Sequence, residues 1–231
     1  LKEVRELLTL SRGYGMESVR QRAMSTAETV SASLSEVVDD SALELVVDLR
    51  LAFGRLLAAL GANERAQKEH LDTAELSLSQ GWTETACAAL ALASHAAQAR
   101  GDRAASGRAW RQCRETMESW PMNRPGERCG ILVDAVGDPL VAVQVLSALA
   151  EVLVEGVEED HSRASIVREI ISRASDQASR CVSSPQNAVE SLARVEERIA
   201  PYGRGRGGRR RPGSTATIMS DGQAASGGSC Q

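Results

Sequence analysis

The chain is poor in the residues from which sheets and most catalytic centres are built. Aromatic side chains make up 3% of its 231 residues, with a single Phe at position 53. β-Branched residues seldom alternate with polar ones, and a half-buried strand needs that alternation, so sheet architecture is disfavoured and an all-α fold is expected. Hydrophobic residues reach 42%, which is enough to bury a core.

Clusters of metal-ligating or nucleophilic side chains are lacking as well. The histidines, His70, His95 and His161, stand far apart, and the five cysteines, Cys87, Cys113, Cys129, Cys181 and Cys230, contain no CxxC pair. A catalytic zinc takes three protein ligands and a nucleophilic Ser or Cys takes a neighbouring base, and no fixed spacing here supplies either. His70, four residues from both Ala66 and Ala74, reads as a packed helix histidine. His95 reads as pointing out of the core stripe, and His161 falls in a loop. The chain is therefore expected to be no enzyme and to hold no metal or cofactor, although residues distant in sequence can still converge. The first four thiols sit in helical patterns as small apolar residues and point to a reducing compartment.

No apolar run reaches the ~18 residues of a membrane span, and no basic-then-apolar leader stands at the start. A cytoplasmic protein without membrane contact is expected. A first residue of Leu rather than Met suggests a fragment, with the output domain of a larger regulator upstream.

Charge is present but segregated. Of a total of -4, residues 201–231 carry five Arg against one Asp, a net of +4, which leaves -8 for residues 1–200. An acidic body disfavours duplex binding, which runs on Lys and Arg neutralising phosphates. After Pro201 the Gly, Ser and Arg content cannot bury a core, so a disordered tail is expected. Its G-x-G-x-G-G run from Gly203 to Gly208 lacks the preceding strand and following helix that a phosphate loop requires. The stretch "RGRGGRRRP" is similar to Arg-Gly segments that contact single-stranded nucleic acid, but Tyr202 is its one aromatic neighbour and a solvated linker is the preferred reading.

Elsewhere the apolar period is helical. Val4, Leu7 and Leu8 begin a short helix, and Ala23, Ala27, Val30, Leu34 and Val37 mark a second beyond the breaker "SRGYGME". Ser41 and Glu44 have capping-box spacing, so a helix is expected from about Ala42 to Leu60. Three later segments share one template: "FGRLLAALGANERA" from Phe53, "ASHAAQARGDRAAS" from Ala93 and "CGILVDAVGDPLVA" from Cys129. Each has a small residue (Gly54, Ser94, Gly130), a Gly seven residues on (Gly61, Gly101, Gly137) and another small residue five further (Ala66, Ser106, Ala142), at intervals of 40 and 36 residues. The middle Gly ends one helix, and Asn63, Asp102 or Asp138 caps the next, with Pro139 as a first helical residue. The outer small residues let the paired helices approach closely. On this template the Arg100-Gly101-Asp102 tripeptide is a corner; an adhesion signal would need secretion and a phosphate loop would need a strand. Val167, Ile170, Ile171, Ala174, Ala178 and Cys181 form a further stripe, and Ser184-Pro185 caps a last helix bearing Ala188, Leu192, Val195 and Ile199.

The repeated segments resemble the tetratricopeptide repeat, a helix-turn-helix unit of roughly 34 residues that stacks into a superhelix. The likeness covers about residues 45–155, with longer spacing, few of the family's large aromatics, and a third unit whose first helix "PMNRPGER" shortens. It implies stacked antiparallel helical hairpins over residues 1–200, followed by the tail 201–231. It also implies that the first helices of successive hairpins line a concave groove for a peptide or partner helix. Arg55, His95 and Ile131 would face that groove, and one turn on, Ala58, Gln98 and Asp134. The expected function is a non-enzymatic interaction or regulatory scaffold with a protein or peptide partner. The alternatives are RNA or single-stranded DNA binding through the Arg/Gly tail, an all-α enzyme built from scattered carboxylates and Arg, and self-association through exposed solenoid ends.

Overall fold

The computed structural model describes residues 43–203 apart from 121, 122, 159 and 182–184, together with the isolated positions 21, 25, 26 and 29. The expected helix at Val4–Leu8, the Ala23–Val37 stripe, the caps Ser41 and Ser184, and the tail from residue 204 lie outside the described residues. Within them the fold is all-α. Eight helices follow one another: α1 (Leu43–Ala59), α2 (Asn63–Ser79), α3 (Thr83–Ala99), α4 (Arg103–Glu118), α5 (Pro125–Val136), α6 (Pro139–Val154), α7 (Arg163–Ala178) and α8 (Gln186–Ile199), closed by a 3-10 turn at Ala200–Gly203.

Gly101 turns the corner between α3 and α4 with φ +82°, a left-handed conformation that a side chain resists. The Asp102 amide donates to the Ala97 carbonyl at 3.0 Å and the Gly101 amide to Gln98 at 2.9 Å, which satisfies the orphan carbonyls of the helix end. Asp102 then caps α4, its Oδ1 accepting from the Ala105 amide at 2.9 Å. The same long bond recurs from Ala62 to Leu57 and from Trp82 to Ser77, both at 2.9 Å. Corners therefore fall at residues 61, 81 and 101, one helix every twenty residues. The Gly81 corner was not expected, yet Ala74 and Ala86 stand seven before and five after it in the same template.

Two local expectations are corrected. Asn63 is the first residue of α2 rather than its cap; Ala62 occupies the cap and offers no side-chain bond. Cys181 lies three residues beyond the end of α7, outside the helix. At the third corner Asp138 does cap α6, accepting from Leu140 at 2.9 Å and Val141 at 3.2 Å, with Pro139 following. The shortening of α5 is also found: it begins at Pro125 behind Arg124, whose φ is +49°.

Short corners make consecutive helices antiparallel, and the packing sorts them into two rows. In one row α1 and α5 pack on α3, and α7 on α5; in the other α4 and α8 pack on α6. Glu151 of α6 ties that second row together, accepting from Arg114 of α4 at 3.1 Å and from the Ser191 hydroxyl of α8. Across the rows α2 and α4 clasp α3, and α7 clasps α6. Helix α1 reaches past α3 to touch α5.

The core is nearly continuous, running from Val47 in α1 through Leu90, Leu146 and Leu149 to Ile199 in α8. Each such leucine contributes about 1.5–3 kcal/mol by leaving water. The stripes foreseen for α7 and α8 are buried at Val167, Ile170, Ala174, Ala188, Leu192, Val195 and Ile199.

The small template residues act unequally. Ser94 and Ser106 meet, the Ser94 hydroxyl lying 3.0 Å from both the carbonyl and the hydroxyl of Ser106. Gly54 lies flat under the His70 ring, where a Cβ would overlap the imidazole. Gly130 departs from the expectation, since a Cβ there would meet nothing within 4 Å. The reason is that α5 packs chiefly on α3, and only lightly on its hairpin partner α6.

Gly54→Ala is accordingly expected to lower stability by about 1–3 kcal/mol, measured by urea unfolding. Gly130→Ala gains up to about 1 kcal/mol of helix propensity. Equal effects at the two positions would contradict the packing described.

Candidate binding cleft

Helices α1, α3 and α5 border a cleft of about 370 Å³. It opens because α3 is clasped by α2 and α4 while α1 touches it only sparingly. The buried Val47 and Leu51 of α1 form its apolar floor, Trp82 lines it as well, and Ile131 of α5 stands on the rim with 46% of its surface exposed. Around them are four carboxylates, Glu44, Asp48, Glu84 and Asp134. Glu84 is buried and is neutralised by Arg128 of α5. The Arg128 guanidinium is held in turn by the Asn123 carbonyl at 3.0 Å and side-chain oxygen at 3.1 Å. Among the described residues Glu44, Asp48 and Asp134 have no ion-pair partner.

Arg55 joins α1 to α5 across the cleft. Its Nη1 donates to the Ala135 carbonyl at 2.9 Å and to the Asp134 carbonyl at 3.3 Å. These carbonyls belong to the last turn of α5, where no helical amide follows to satisfy them and where the helix dipole favours a cation. Gly137 makes room for the arginine, since a Cβ there would collide with the guanidinium. Its φ of +64° also ends α5 through a bond from its amide to the Val133 carbonyl at 2.9 Å.

Beyond Arg55 lies a second cavity of about 300 Å³, bounded by Ala58, Asn63, His70, His95 and Asp138. His70 is 1% exposed and its Nδ1 has no hydrogen-bond partner. Burial, and secondarily the charge of Arg55, hold its pKa down to about 3, so the imidazole is neutral.

Of the residues expected to face the groove, Arg55, Ile131 and Asp134 line the cleft itself. His95 and Ala58 line the adjoining cavity, which shares Arg55 with the cleft. Gln98 is not among them: it opens onto a separate space of about 470 Å³ between α3, α4 and α6, beside Trp110 and Gln144. Glu44, Asp48, Trp82 and Glu84 escaped the sequence reading. Trp82 follows the Gly81 corner, the one signal that would have marked it.

Cys87, Cys113 and Cys129 are buried, and Cys181 is half-buried. Cys87 and Cys113 face each other between α3 and α4, each Sγ donating to the other's backbone carbonyl, at 3.9 and 3.4 Å. Their mutual contact and burial hold the Cys87 thiol above its ordinary range, and burial pushes Cys129 up to about 11. A nucleophilic thiol needs a shift in the opposite direction. Among the described residues no group of three His, Cys, Asp or Glu side chains could hold a metal ion, and no helix is long and apolar enough to cross a membrane.

His70 makes stability depend on pH. Its folded pKa of about 3 lies below the ordinary 6.5, so the unfolded chain takes up the proton first; stability is full above pH 6.5 and is lost as pH falls toward 3. Between pH 6 and 5 the loss approaches ~1.4 kcal/mol per unit. Urea unfolding at pH 7, 6 and 5 measures this slope, which His70→Gln is expected to abolish.

No family model matches the chain, and no curated protein or solved structure matches it.

Proposed function

We propose that this chain is a tetratricopeptide-like hairpin stack that binds a peptide or a helix of a partner protein in the cleft between α1, α3 and α5, and that it acts by recognition rather than catalysis. The observation that carries the reading is the cleft itself. Three helices from successive hairpins converge on one concave, apolar-floored space rimmed by carboxylates, with Ile131 exposed on its edge. An exposed apolar side chain beside a preformed cavity favours a ligand that brings its own apolar anchor. Rigidity supports the same role: Arg55 and the Glu84–Arg128 pair hold α5 to α1 and α3, so little ordering remains to oppose association.

A peptide-display selection against the full chain tests this. Selected peptides are expected to lose at least about tenfold in affinity, ~1.4 kcal/mol, on Ile131→Ser, while the unfolding midpoint of the protein stays put because Ile131 packs into no core. Peptides indifferent to Ile131→Ser and to Asp48→Lys would overturn the assignment of the cleft.

A further inference from the structure

Building on the reading of the cleft as a peptide site, we propose that its resident occupant is the arginine-rich segment of this same chain, residues 204–211, and that a partner binds by displacing it. The first ground is charge. Glu44, Asp48 and Asp134 ring the cleft without ion-pair partners among the described residues, and the cations nearby are committed: Arg128 to Glu84, and Arg55 to the carbonyls of α5. The chain supplies the complement itself, since Arg204, Arg206, Arg209, Arg210 and Arg211 fall within eight residues, against a net of -8 over residues 1–200.

The second ground is shape. A guanidinium is planar, pairs with carboxylates through a rigid fork and stacks on aromatic faces, and the cleft offers carboxylates beside the Trp82 indole. Glycines alternate with the first arginines, at 203, 205, 207 and 208, and let the backbone approach the walls of a narrow cleft.

The third ground is reach. The chain leaves the fold from a fixed point: Arg168 of α7 donates to the Ile199 carbonyl at 3.3 Å, and Tyr202 lies against His161 with ring centroids 4.9 Å apart. The closing turn packs on α7 and α8, and α7 packs on α5, whose Ile131 and Asp134 form one wall of the cleft. Eight extended residues span ~27 Å, against ~8–10 Å between packed helices, so residues 204–208 can serve as the tether that carries Arg209, Arg210 and Arg211 toward the cleft, at an effective concentration on the order of millimolar. Weak contacts suffice under that condition. The segment screens the carboxylates and makes the cleft selective for partners able to outcompete it.

The test uses a fluorescein-labelled synthetic peptide of residues 202–212, followed by fluorescence polarisation. Its hosts are the full chain and a full-length variant with the five arginines changed to Gln. The variant is also made with Asp48→Asn and Asp134→Asn, and separately with Glu196→Gln and Glu197→Gln on α8. The variant is expected to bind the probe at least tenfold more tightly than the parent chain, whose own segment competes. That affinity is expected to fall at least tenfold on the cleft substitutions and less than twofold on those in α8, with the parent chain monomeric by light scattering. Equal binding to parent and variant, no binding to the variant, or equal losses from cleft and α8 substitutions would each overturn the proposal. A parent dimer abolished by the Arg→Gln changes would place the segment in a second copy and overturn docking within one molecule. If the probe fails while display-selected peptides still depend on Ile131, this inference falls and the reading of the cleft stands; if neither depends on the cleft, both fall.

Discussion

A helix packed by neighbours on several sides has little room for large side chains, and α3 meets that constraint with alanine. Ala86, Ala88, Ala89, Ala91, Ala93, Ala96 and Ala97 are all buried, with Cys87, Leu90, Leu92 and Ser94 among them. Small residues let helix axes come to the near end of the 8–10 Å range, so α2 and α4 clasp α3 while α5 and α6 also pack against it. The rest of the fold is arranged around that occupancy. Because the sides of α3 are taken, α1 stands off from it, and the space left between α1, α3 and α5 is the cleft.

Two polar clamps add to the apolar packing that holds the walls of the cleft in register. Arg55 occupies the carbonyl end of α5, and Arg128 pairs with the buried Glu84 at the start of α3. Removing one partner of a buried pair leaves an uncompensated charge, which costs more than the intact pair contributes. The clamps therefore specify a geometry more than they add net stability. They also consume two cations that would otherwise offset the rim carboxylates, so the same bonds that shape the cleft leave it acidic. The same two arginines thus set both the geometry of the cleft and its charge.

Much of the fold was legible because its determinants are short. The Gly101-Asp102 and Gly137-Asp138 corners state both halves of a turn, a left-handed residue and a cap, within two positions. The stripes of α7 and α8 repeat every three to four residues. Reading failed where a residue's neighbours are remote. Gly130 fits the template, yet a Cβ there would meet nothing within 4 Å, because α5 leans on α3 and α7, and template position alone does not report that. Gly81 was legible and missed: its flanking Ala74 and Ala86 match, but the 40-residue comparison steps over every second corner.

The site shows the same division. Arg55, Ile131 and Asp134 were identified by their place one residue or one turn beyond a small residue, which a helix of 3.6 residues per turn converts into a common face. That arithmetic holds along one helix but says nothing of which helices converge, so Gln98, on the same helix as His95, opens onto a different space. Helices, corners and the segregation of negative body from arginine-rich tail follow from the order of residues alone, because each depends on composition or on hydrogen bonds spanning about five residues. Packing of remote helices is what brings Arg55 to a carbonyl 80 residues away, buries Glu84 against Arg128, and gathers three carboxylates, unpaired among the described residues, into one cleft with Trp82. Those relations arise from how closely the alanines of α3 let its neighbours approach, and no periodicity along the chain encodes them.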